Sequence, residues 1–99
     1  MMKETRYSLI LKESIKGKKV SLSKLTALIK EHGVNTNKAY ISKLQNGKLP
    51  PAGDKLNNAL ATALEIDPAK LKAAAYIEKI PTDVLKELVS TQSEIFSEV

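Results

Sequence analysis

The sequence predicts an all-α fold of five to six helices. Three observations carry that prediction. Apolar residues recur at spacings of three and four along most of the chain. Cap-type residues, glycines and prolines punctuate those stripes at helix-length intervals. No stretch shows the alternation of β-branched and polar residues that marks a half-buried strand. The 99 residues suit one domain, and 42% apolar content supports one modest core. With three Tyr, one Phe and no Trp, that core is expected to be aliphatic.

The first helix is expected over 5–16, where Tyr7, Ile10, Leu11 and Ile15 form one stripe. Gly17 followed by Lys18 and Lys19 reads as its end, because glycine suits a C-terminal cap and cations suit the carbonyl end. Ser21 or Ser23 caps a second helix whose apolar face is Leu22, Leu25, Leu28 and Ile29. It stops near His32-Gly33. Asn35, Thr36 and Asn37 are cap-type residues ahead of a third helix from Lys38 to Gln45, which buries Ile41 and Leu44. Asn46-Gly47 ends it, since both residues tolerate positive φ.

Leu49-Pro50-Pro51-Ala52-Gly53 is an extended connector. Asp54 is the expected cap of a fourth helix, with Leu56, Leu60 and Leu64 inward and alanines between them. Asp67-Pro68 starts a fifth helix, cap residue then proline at the first helical position. Leu71, Ala74, Ala75 and Ile77 belong to it. Ile80-Pro81 breaks it, and Thr82 caps a sixth helix.

Composition narrows the function classes. There is no cysteine and only one histidine, His32, so neither a thiolate nor a histidine metal site is expected. His32 reads as an exposed helix-end residue. No cofactor is expected. No apolar run reaches the roughly 20 residues that span a bilayer, and the start lacks the apolar region of a secretory leader. A cytoplasmic, nucleoid-associated protein with no membrane partner is the expectation. The carboxylates are scattered and no nucleophile stands beside a base, so no enzyme is expected.

Charge is unevenly placed. Residues 1–50 hold 11 Lys/Arg against 3 Asp/Glu, a net of +8, and residues 51–99 hold 5 Lys against 8 Asp/Glu, a net of −3. Cations beside phosphates release condensed counterions, so a basic half points to nucleic acid. The other reading is a solvated basic surface.

Leu25 to Gly47 spans two short helices joined by a Gly33-Val34 turn, the pattern of a helix-turn-helix. Ile41 and Leu44 share one face of the second helix. Lys38, Ser42 and Gln45 point away, or Lys38, Tyr40 and Lys43 in the other phase. An apolar back and a polar front suit a helix lying in the major groove. The block Ile41-Ser42-Lys43-Leu44-Gln45-Asn46-Gly47-Lys48 with Pro50-Pro51 resembles the "I-S-x-L-E-N-G-K…P" signature of the Cro/repressor-type (XRE-like) helix-turn-helix family. Leu56, Leu60 through Asp67 and Leu71 resemble that family's "L-x-x-L-A-x-A-L-G-V-x-x-x-x-L" tail. The resemblance covers roughly 20–72. Two departures stand out. Thr26 replaces the usual small alanine, and the stretch from Thr26 to Ile41 is several residues longer than the family pattern. The additions fall at 30–32 and 35–38, which implies an extra turn on the second helix and a longer turn into the third.

The resemblance implies a repressor-like DNA-binding domain over 1–80, in the form of a phage or mobile-element regulator. It implies base-facing positions for Lys38, Ala39 and Lys43, with Asn37, Tyr40 and Ser42 beside them. Asn46 and Lys48 would meet phosphate, and Ser21 and Ser23 would meet the DNA backbone. Each has a plainer role. The lysines can be merely solvated, Tyr40 can pack on helix two, Asn46 can be only a cap, and the serines can cap.

Residues 81–99 form a C-terminal helix in which Leu85, Leu88, Gln92, Ile95 and Val99 step by three and four. Val84, Val89 and Phe96 widen that seam. It either folds back onto helices one and five, pairs with a second copy, or binds a regulatory protein. The expected function is a sequence-specific regulator, a repressor binding double-stranded DNA as a homodimer on a palindromic operator. The alternative is a helix-turn-helix-fold interaction module, like an antirepressor or antitoxin, that binds a regulator protein.

Overall fold

A computed structural model describes residues 5–97, with side chains given through residue 91. Its described residues form six α-helices and no strand: α1 (Arg6–Lys18), α2 (Leu22–Glu31), α3 (Lys38–Gln45), α4 (Asp54–Leu64), α5 (Pro68–Lys79) and α6 (Thr82–Ser97).

Local chemistry sets most of the boundaries. Thr5 caps α1 in a reciprocal box: its Oγ1 accepts from the Ser8 amide at 3.1 Å, and the Ser8 Oγ accepts from the Thr5 amide at 2.8 Å. The helix does not end at Gly17. It continues to Lys18 and closes on Lys19, which is left-handed at φ 58°. Of the two candidate serines, Ser21 caps α2, and its Oγ accepts from the Lys24 amide at 3.0 Å. α2 ends in a Schellman turn. Gly33 sits at φ +79°, its amide donates to Lys30, and the Val34 amide donates to Ile29. α3 ends the same way: Gly47 takes φ 69°, with amides of Gly47 and Lys48 donating to Leu44 and Lys43. Asn46 stays at φ −97°, so glycine alone supplies the positive φ.

α4 departs from expectation in two respects. Gly53 is its N-cap, and Asp54 is the first helical residue, whose carboxylate accepts from the Tyr76 hydroxyl at 2.8 Å. Its inward row is Asn57, Leu60 and Leu64, while Leu56 is only half-buried. The helix closes on left-handed Glu65 at φ 58°. The Lys18 ammonium donates to Glu65 and holds its carboxyl below the ordinary range. Asp67 caps α5 with Pro68 at its start, as expected. Thr82 opens α6 rather than capping it, and the Leu85 amide donates to Pro81.

The first five helices enclose an aliphatic core. Leu11, Leu25, Ile29, Ile41, Leu44, Leu60 and Leu71 are fully buried, each contributing about 1.5–3 kcal/mol by leaving water. α1 packs on α3, α4 and α5, and α2 packs on α3 and α4. Ile77 of α5 is exposed, whereas Leu71, Ala74 and Ala75 of the same helix are buried. Among the described residues, α6 shows no packing along α1 or α5. Only Thr82 and Leu85, in its first turn, border a shallow groove with Ile77, Ile80 and Leu49, and beyond them Val84, Leu88 and Val89 face solvent.

Candidate nucleic-acid interface

α3 is eight residues long, so its stability comes from packing and caps. Ile41 at 0% and Leu44 at 2% exposure pin its back to α1 and α2. Asn37 caps its start, the Oδ1 accepting from the Tyr40 amide at 2.8 Å. Once the back is fixed, helical geometry fixes the front. Lys38, Ala39 and Lys43 are exposed, and Tyr40, Ser42 and Gln45 flank them half-buried. The outward row is therefore centred between the two phases that the spacing left open.

The other expected contact residues fall around this row. Asn37, Ser21, Ser23 and Lys48 are exposed, and Asn46 is half-buried as the C-cap. Tyr40 packs against the core from the side of the α2–α3 turn and lines a groove with Val34, Thr36, Ala52 and Leu56. Among the described residues, Lys38, Lys43 and Lys48 enter no ion pair.

Electrostatics sharpen the character of this surface. The first turns of α2 and α3 contain no acid. Lys24 and Lys38 stand there instead, beside the positive end of the helix dipole. That placement is locally unfavourable for an isolated helix. It suits an anion approaching from outside, because amides, dipole and ammonium groups then act with one sign.

The connector after α3 is held by a buried network that the spacing did not disclose. The Tyr7 hydroxyl donates to Asn57 Oδ1, the Asn57 Nδ2 donates to the Ala52 carbonyl at 2.8 Å, and the Ala52 amide donates to the Tyr7 hydroxyl at 3.4 Å. The three groups tie α1, the connector and α4 together. Burial pushes the Tyr7 phenol up to about 12. An asparagine three residues before Leu60 and seven before Leu64, on an otherwise apolar face, was the available signal.

No group of three or more metal-ligating His, Cys, Asp or Glu side chains occurs among the described residues. No described helix is long and apolar enough to cross a membrane.

The fold and surface define an all-α, six-helix protein with a short, doubly capped helix presenting a basic front. No protein-family model, no curated protein and no solved structure matches this chain.

Proposed function

We propose that this chain is a sequence-specific DNA-binding transcriptional regulator, a repressor that lays α3 in the major groove and acts as a dimer on a palindromic operator. The observation that carries the proposal is the outward row of α3. Lys38, Ala39 and Lys43 are exposed in front of a back fixed by Ile41 and Leu44, with no counter-charge among the described residues. Lys38 and Lys43 have the donors to read guanine O6 and N7, and Ala39 fits a thymine methyl. Lys48, Asn46 and the start of α2 at Ser21 and Ser23 meet phosphates on either side, which sets the register of α3. Lys24 adds charge at that helix start.

Binding to random duplex DNA as a function of salt tests the reading. The logarithm of affinity is expected to fall linearly with the logarithm of salt, by about 0.9 per phosphate contacted. Absence of binding at low salt removes the proposal. One observation favours a second reading, an interaction module of antirepressor or antitoxin type that binds a regulator protein: the exposed apolar face of α6. That reading expects no salt-dependent DNA binding.

A further inference from the structure

The geometry points to Tyr7 and Asn57 as positioning residues for the nucleic-acid surface: their buried hydrogen bonds to Ala52 fix the connector after α3 and, through it, the place of Lys48 on the phosphate backbone. The inference rests on the DNA reading, since Lys48 is a contact only within it.

The connector has to be fixed from outside itself. Lys48 is exposed and stands just past α3, where its amide donates to the Lys43 carbonyl at 2.9 Å. Among the described residues, no backbone group from Leu49 to Ala52 bonds to another backbone group. Side chains must then satisfy whatever is buried there. They do so at Ala52, which is 4% exposed. The Ala52 amide donates to the Tyr7 hydroxyl at 3.4 Å, and the Asn57 Nδ2 donates to the Ala52 carbonyl at 2.8 Å. The Tyr7 hydroxyl closes the ring by donating to Asn57 Oδ1. Both backbone groups of one connector residue are thus held by side chains that are themselves buried.

What is held at Ala52 reaches Lys48 because the chain between them is stiff. The rings of Pro50 and Pro51 fix their φ, and Leu49, ahead of a proline, is confined to extended backbone. Leu49 also packs against the core. Lys48 is therefore stretched between the closing turn of α3 on one side and the Ala52 clamp on the other. The far end of the clamp is α1, the helix that also packs on α3. Lys48 and the outward row of α3 thus share one reference. Stability is a weak reason for such a network, because apolar groups of the same shape in place of a buried hydrogen-bonded pair are close to neutral. Hydrogen bonds add direction. A phosphate contact benefits from it, since a segment already held in place loses less freedom on binding.

The test is a double-mutant cycle of Tyr7→Phe and Lys48→Ala in the full-length chain, read as affinity for random duplex DNA at several salt concentrations. Lys48→Ala is expected to make the salt slope shallower by about 0.9. Tyr7→Phe keeps the ring and removes the hydroxyl of the clamp. It is expected to weaken binding by about 3- to 10-fold while Lys48 is present, and to cause no further loss in the Lys48→Ala background. A hydroxyl that served folding alone costs the same in both backgrounds, so equal losses overturn the inference. A folded Tyr7→Phe protein of unchanged affinity overturns it too, as does an unchanged slope in Lys48→Ala. Circular dichroism checks the fold. If Tyr7→Phe does not fold, Pro50→Gly carries the same cycle, because it loosens the exposed connector with the network intact, and the same outcomes decide. A wild-type chain that binds no DNA removes the DNA reading and this inference with it, whereas normal binding with equal losses removes the positioning role alone.

Discussion

At the scale of single residues, the fold depends on a few polar groups in an apolar setting. Asn57 is 0% exposed, and its amide answers both the Tyr7 hydroxyl and the Ala52 carbonyl. Asn57→Ala leaves both without partners, and an unfolding free energy lower by about 2–3 kcal/mol is expected by denaturant titration. Tyr7 adds a pH signature. Its folded-state pKa is raised to about 12 from the ordinary 10, so the protonated form is favoured by folding. The sign follows: this contribution is complete below pH 10 and is lost as pH rises toward 12. Stability is expected to fall by about 2–3 kcal/mol over that interval, and Tyr7→Phe flattens the slope. Left-handed residues give a third case. Lys19 holds φ 58° with a side chain, which costs about 1 kcal/mol that glycine avoids. Lys19→Gly is expected to raise the melting temperature by a few degrees. Glu65 shares that conformation and pairs with the Lys18 ammonium. Neither site was legible in spacing alone, because Tyr7 counts equally as an apolar residue and Asn57 as a surface one.

At the scale of elements, α2 and α3 carry the functional argument, and they also supply a test in which stability and binding diverge. Lys38 stands in the first turn of α3, where an acid is preferred. Lys38→Glu is expected to leave folding stability unchanged or raise it by about 0.3–1 kcal/mol. On the proposed reading, DNA affinity falls in the same variant. A Lys38→Glu protein that binds duplex DNA as well as the original removes Lys38 from the interface. Lys43→Ala is expected to weaken operator binding more than random binding, whereas Lys48→Ala weakens both alike. Asn37→Ala removes the cap and costs about 1 kcal/mol, which a thermal melt reads directly. The caps and breaks of these elements were largely legible. Ser21, Asn37, Gly33, Gly47 and Asp67-Pro68 act locally, and local chemistry suffices to recognise them. Asp54 and Thr82 were misassigned because a cap-type side chain does not reveal whether its own backbone is already helical.

At the scale of the molecule, α6 sets the shape. The radius of gyration is 15.3 Å and the longest dimension 49 Å, against about 13 Å for a compact chain of this length. Among its described side chains, Thr82 and Leu85 border the five-helix body, and Val84, Leu88 and Val89 are exposed. Removal of residues 82–99 is therefore expected to shift the melting temperature of the body by no more than a few degrees. A larger loss, measured by calorimetry, would show that α6 stabilises the body in solution.

What the sequence by itself determined is the helix count, most helix ends and the aliphatic character of the core. Those follow from periodicity and cap chemistry within a few residues of each site. The position of Ile41 and Leu44 on the back of α3 was also legible, because three residues of a helix separate them. Only the tertiary structure decided which side chains form the front of α3. A half-buried flank such as Tyr40 depends on where the α2–α3 turn and α4 lie, and no spacing within α3 contains that information. It likewise decided that Asn57 rather than Leu56 faces inward, that Ile77 faces out, and that Val84, Leu88 and Val89 of α6 stay exposed. Each of these is a choice between two faces of an amphipathic helix. Such choices turn on contacts between segments distant in the chain, where burial rewards whichever packing excludes the most water.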